Sequence, residues 1–250
     1  MKKLFTLLAL IISFSMNAQM SDNSSGTSAT GTNAVAIGNS TTASGSQSTA
    51  MGDSTTASAY ASTAMGSITT ASGNQSTSMG ELTTASGRET LAIGNSTTAG
   101  GDYSTAMGLS TTASGAQSTA MGRLTTASGI SSLALGDSTT ASGHQSISAG
   151  NSSTASASYS TSIGYGSVAS DFASVVIGQY NSSGSSVTNN ATSFNTANTA
   201  FVIGNGTSGS LSDAFKVMFN GDTTVSNDLT VNGDVVISSD ARLKSNIVSL

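Results

Sequence analysis

A single histidine and no cysteine leave this chain little with which to hold a transition metal or activate a nucleophile. His144 sits at a variable position, so a metal there would need an otherwise all-oxygen ligand set, and the residue reads as an exposed bystander. The run "GGDYS" at 100–104 holds half of a calcium-binding nonapeptide, but a stacked calcium ladder needs that motif in every repeat and it occurs once. A structural turn accounts for it. Asp53, Asp137, Asn39, Asn95 and Asn151 share the position after a regularly placed glycine, where a short polar side chain capping a turn explains them without a ligand. No "GxxxxGK" phosphate cradle occurs, and Arg88 and Arg123, the only basic residues between 34 and 180, are too few for an anionic partner. These residues point to no enzyme, no cofactor and no metal site.

The elements that carry them are set by a repeat. Glycine recurs every fourteen residues from Gly38 to Gly178, and an alanine follows five residues behind each one from Ala43 to Ala169. Just before these glycines stand Ile37, Met51, Met65 and their successors up to Ile177, large and apolar everywhere except Ala149. Self-similarity at a fixed period marks a stacked architecture. Disorder would need the Ser/Thr/Gly composition but not the phase. A helix is opposed by the glycines, often seven residues apart, and by the paired threonines. In "STAMG" Thr and Met point one way and Ser and Ala the other, the alternation of a strand. The expected fold is all-β: a parallel β-roll or β-solenoid of fourteen-residue coils, each with two short strands joined by turns where glycine takes φ > 0.

Charged residues make up 8% of the chain against roughly a quarter in an ordinary soluble domain, and Pro, Cys and Trp are absent, so a thick Leu-rich core is not expected. A roll of four- and five-residue strands encloses a space too thin for Leu or Phe. Burying alanine returns little, because each extra methylene is worth ~0.8 kcal/mol. The Met/Ile/Leu column must supply the missing apolar area, either by filling the roll or by facing identical rolls around a symmetry axis, and both uses favour an oligomer. At the ~4.8 Å strand spacing, the coils make a rod of about 50 Å.

Residues 1–18 have the layout of a secretory signal peptide: Lys2 and Lys3, an apolar run from Leu4 to Phe14, then small residues ending at Ala18. The run is too short for a membrane span, which takes ~20 apolar residues. Its removal takes two of the seven basic residues and leaves five against twelve acids, a surface that repels nucleic acid. No later segment is long and apolar enough to cross a membrane as a helix, so membrane attachment is not expected to be encoded in this chain. The expected product is secreted or displayed on a bacterial surface, with residues 19–33 as a flexible lead into the roll.

The segments "AVAIGNSTTASGSQS" (34–48), "LAIGNSTTAGGDYS" (91–104) and "SVVIG" (174–178) resemble the head repeats of trimeric autotransporter adhesins, the YadA-like head family. The resemblance covers 34–180 and implies a left-handed parallel β-roll, a homotrimer and a sticky surface head, without naming the ligand. Coiled-coil heptads and the β-barrel strands that end such adhesins do not follow the head in this sequence. After Gly178 the register breaks. Residues 181–210 are expected to form an irregular loop and a final coil, and 211–238 a hairpin-like neck with Asn220-Gly221 and Asn232-Gly233 as turns.

Residues 238–247, "SSDARLKSNI", resemble the opening of the peptidase S74 family, the intramolecular chaperone at the end of phage tail spikes and many bacterial surface fibres. That resemblance implies self-cleavage between Ser239 and Asp240, with Ser239 as nucleophile and Lys244 as its base. A lysine whose charged form is disfavoured by burial can take the hydroxyl proton. Only the start of such a domain, residues 239–250, is present, so the polypeptide as given is expected to be inert.

Three functions fit these observations. The first is a trimeric adhesive head whose Ser/Thr/Asn-rich faces and enlarged loop touch cells, matrix or glycans. The alternatives are a phage-type tail fibre matured by the chaperone, and an ice-binding array. For ice, Thr41, Thr55, Thr69 and their successors to Thr139 are expected to form the outward column, with the Thr42 column turned towards the alanine-lined side.

Overall fold

The computed structural model describes residues 20–21, 25–182 and 191–231; the signal-peptide reading of 1–18, the Asn232-Gly233 turn and the Ser239 and Lys244 pair lie outside them. The described residues form an all-β parallel solenoid. Each coil contributes one five-residue strand, such as Val35–Asn39 or Thr49–Asp53, and one two-residue strand, such as Thr42–Ala43 or Thr56–Ala57. The long strands stack into a fifteen-stranded sheet and the short ones into an eleven-stranded sheet. Register is constant, so like sits on like: Ala36 on Ala50, Ile37 on Met51, Gly38 on Gly52. The ladders begin inside the 19–33 stretch expected to be flexible, where Met20–Ser21 pairs with Val35–Ala36 and Ser28–Ala29 with Thr42–Ala43.

The space between the sheets takes only small side chains. Ala36 and Ala43 with their successors, the Thr41 column and the Ser48 column are buried almost completely, and Val176 and Val202 enter only at the last coils. The Met/Ile/Leu column does not fill the roll: it lies on the outer face of the long-strand sheet, where Met51 and Met121 keep 37% and 39% exposure. The expectation for the paired threonines is corrected by the same alternation. Thr41 shares a face with Ala43 and is buried at 0%, so the Thr41 column points inward and the Thr42 column outward.

The turns hold a second correction. Left-handed backbone recurs every seven residues from Asn33 to Tyr180, and apart from Gly166 these positions carry side chains, with φ between 41° and 61°. Such backbone costs roughly 1–2 kcal/mol per L-residue. From Ser40 onward a hydrogen bond to the previous coil offsets it, as in Ser54 N–H to the Asn39 carbonyl (2.9 Å) and Gln47 N–H to the Thr32 carbonyl (2.7 Å). The glycines serve other needs. Gly52 has φ +126°, and a Cβ on it would lie 2.0 Å from the Gly66 carbonyl oxygen. Gly73, in the second glycine position, has no positive φ and is there because a Cβ would sit 1.8 Å from the Gly87 oxygen.

At its C-terminal end the short-strand sheet stops at Val168–Ala169. Asn181 stands in for the next strand, its side-chain oxygen accepting from Val168 N–H (2.7 Å) and its nitrogen donating to the Val168 carbonyl (2.9 Å). The long-strand sheet continues through Thr199–Asn205 and then turns antiparallel with Asp213–Met218 and Thr223–Val225. Buried Asp171 accepts Thr199 N–H (2.9 Å), and Asp213 accepts Ser182 N–H (2.8 Å), which ties both sides of the insertion to the roll.

Candidate functional site

With an interior of Ala, Thr and Ser, any function of the roll lies on its outside, which has two faces and two edges. The long-strand face carries Met51, Met65, Met79, Ile93, Met107 and Met121 in consecutive coils, flanked two residues earlier by threonine, or by Leu91 ahead of Ile93. The short-strand face carries the half-buried Thr42 column, in register in every coil to Thr154, beside the exposed Ser44 column.

One edge follows the fixed glycine. There the Asp and Asn column does more than cap turns, because its members bond from coil to coil: Asn39 Nδ2 to Asp53 Oδ1 at 2.7 Å, and Asn95 Nδ2 to Glu81 Oε2 at 2.8 Å. Arg123 pairs with Asp137, Nη2 to Oδ2 at 2.6 Å. Hydrogen bonds from Ser138 and Arg123 hold the Asp137 carboxyl below the usual aspartate range. The signal for this ladder is in the sequence as partners fourteen residues apart, and it was missed by treating each residue singly. Ile68, Leu82 and Leu124 on this edge are left-handed and about half exposed.

The other edge precedes the long strand. Here Arg88 forms an ion pair with Asp102 (3.5 Å), and its guanidinium lies 4.8 Å from the Tyr103 ring centroid. Asp102 also accepts Arg88 N–H at 2.9 Å, so the "GGDYS" aspartate is engaged by arginine. Further along, exposed His144 meets Tyr159 edge-on at 5.6 Å, and Tyr159 meets Phe172 at 5.2 Å.

Among the described residues no group of three or more His, Cys, Asp or Glu is placed to hold a metal ion, no cavity of ligand size opens, and no helix is long and apolar enough to cross a membrane. The family described as "YadA head domain repeat (2 copies)" matches residues 29–55, 57–80 and 85–111, then overlapping windows from 99–125 to 155–181, together more than half of the chain. No curated protein matches the chain. The fourteen-residue register, the alanine-lined roll and these matches agree: the chain belongs to the YadA head domain repeat family and is an adhesin-like β-solenoid.

Proposed function

We propose that the chain is the head of a bacterial surface or secreted adhesin that works as a homotrimer of left-handed rolls and attaches to cells, matrix or glycans. One observation carries the assembly: the Met/Ile/Leu column stands outside the roll, where a single chain leaves it partly exposed in coil after coil. The interior cannot compensate, since it buries alanines worth little each. Three copies packing these faces around an axis bury the column and leave the threonine faces outward. The signal-like residues 1–18 support export, and the polar, weakly charged exterior suits contact with surfaces. In a longer product carrying the whole chaperone, Ser239 and Lys244 would release it after assembly. Sedimentation of the exported chain is expected to report three copies, and beads coated with it are expected to adhere to cells or matrix. A compact, folded monomer removes the assembly; coated beads that bind nothing remove the adhesion.

A second reading has its own observation. The outward Thr42 column is regular, uncharged and unbroken to Thr154, as an ice-binding face requires. An ice-recrystallisation assay at micromolar protein separates it, and crystals that coarsen as in buffer alone end it.

A further inference from the structure

The geometry points to a carbohydrate-binding ladder on the edge that precedes the long strands, formed by Ile130, His144, Tyr159 and Phe172 and suited to a neutral glycan. It rests on the adhesive reading and names the ligand class.

Four successive coils place one ring or branched side chain each on this edge, and the three rings are in contact. Ile130 is 53% exposed and Tyr159 47%. Tyr159 also holds φ +61°, a conformation unfavourable for a bulky residue. The backbone is held, as at the other turns, by Tyr159 N–H donating to the His144 carbonyl (2.7 Å), but the exposed ring is not covered by any described residue. Tyr60 and Tyr103 stand in the same two columns as single rings, with Arg88 lying over Tyr103; of the described coils only these bring three rings together beside exposed apolar surface, a feature of a binding surface.

The ligand class follows from charge. Between Leu124 and Ser182 the only acidic or basic side chains besides His144 are Asp137 and Asp171. Asp137 is paired with Arg123 on the opposite edge and Asp171 is buried, so the ladder faces solvent with no permanently charged side chain to offer. An acidic polysaccharide, a phosphate or a basic peptide would find no counter-charge. A sugar ring offers an apolar C–H face to an aromatic ring and hydroxyls to nearby polar groups. Gln145, exposed beside His144, and the His144 ring supply donors and acceptors of that kind. The coil-to-coil step orients a linear glycan along the roll axis.

The repeat itself supplies fold-preserving substitutions. Ala61 and Ala173 occupy the Tyr159 position in other coils, and Ser46 and Ser158 occupy that of Phe172. Binding of the full chain to oligosaccharides of glucose and of N-acetylglucosamine, with oligogalacturonate as the acidic counterpart, can be followed by saturation-transfer NMR. The neutral oligosaccharides are expected to bind, Tyr159→Ala and Phe172→Ser each to weaken binding at least ten-fold, and Tyr103→Ala, on the same edge, to leave it unchanged. Undiminished binding by both variants, binding of the acidic oligomer alone, or no binding of the neutral ones overturns the ladder. So does a change of oligomeric state in the variants, which would make this edge a subunit contact. Cell attachment measured in parallel separates the two readings: wild-type beads that adhere to cells while neutral glycans fail to bind sink the ladder and leave the adhesive head standing.

Discussion

The two outer faces of the roll share one backbone, one interior and one spacing, yet they differ in what they ask of their surroundings. The short-strand face presents Thr42 and its successors, whose hydroxyls are content in water. The long-strand face presents methionine, isoleucine and leucine at the same heights, with their outer sides left uncovered among the described residues. Inside, both sheets meet at alanines, threonines and serines that do not distinguish them. The difference teaches that the need for a partner is written on one outer column, and that the narrow core sets shape more than stability.

The sharpest break of that comparison is chemical. Replacing Met51, Met65, Met107 and Met121 together by serine should abolish assembly, because each buried methionine is worth roughly 1.5–3 kcal/mol. The matched set Thr56→Ser, Thr70→Ser, Thr84→Ser and Thr98→Ser should sediment like wild type; the opposite pattern would assign the partner to the threonine face. The glycines come next. Gly80→Ala, at the end of an apolar-faced strand, combines φ +120° with a Cβ 2.0 Å from the Gly94 oxygen. It should lose on the order of 4 kcal/mol or more in urea unfolding. Gly73→Ala, after a threonine-faced strand, should lose about 1–3 kcal/mol, since Ala59 and Ala157 fill its position in other coils. Equal losses would show that left-handed backbone is not what separates the two glycines.

A smaller effect probes the shared interior. The Thr69 and Thr125 hydroxyls are buried without a partner, whereas Ser78 supplies one to Thr83 at 2.7 Å from the position that Ala64 and Ala120 fill elsewhere. Ala64→Ser and Ala120→Ser should therefore stabilise by about 1 kcal/mol each, and a loss in thermal unfolding would refute the geometry. The smallest effect lies on the glycine-side edge. Because the folded Asp137 carboxyl titrates below its ordinary range, its contribution is complete at neutral pH and is lost as pH falls through its folded-state midpoint. A carboxyl NMR titration should find that low midpoint in wild type and its return towards the ordinary range in Arg123→Gln.

The period, the inward alanines and the existence of a Met/Ile/Leu column were legible in the sequence, because spacing alone decides which residues stack; whether that column fills the roll or stands outside it was left open and is decided by the fold. Other features were not legible. The paired threonines look alike, and only strict alternation from Ala43 assigns Thr41 inward. A glycine required for left-handed backbone reads the same as one required for close approach, so the turns were placed on glycine when they fall on residues such as Gln75 and Leu82. The coil-to-coil pairs at Arg88 and Arg123 and the aromatic contacts of Tyr159 needed the stacked rows to be read across, fourteen residues at a time. Asn181 lies where the register breaks, and periodicity is silent there.

Asn181 also separates two quantities that are joined in most folds. Its amide closes one sheet against further growth whatever number of coils lies upstream, and each coil touches only its neighbours. Gain or loss of a fourteen-codon unit during replication would thus lengthen or shorten the reach of the head by one step while the same terminator still ends it. Reach becomes an adjustable trait, and the ending stays constant.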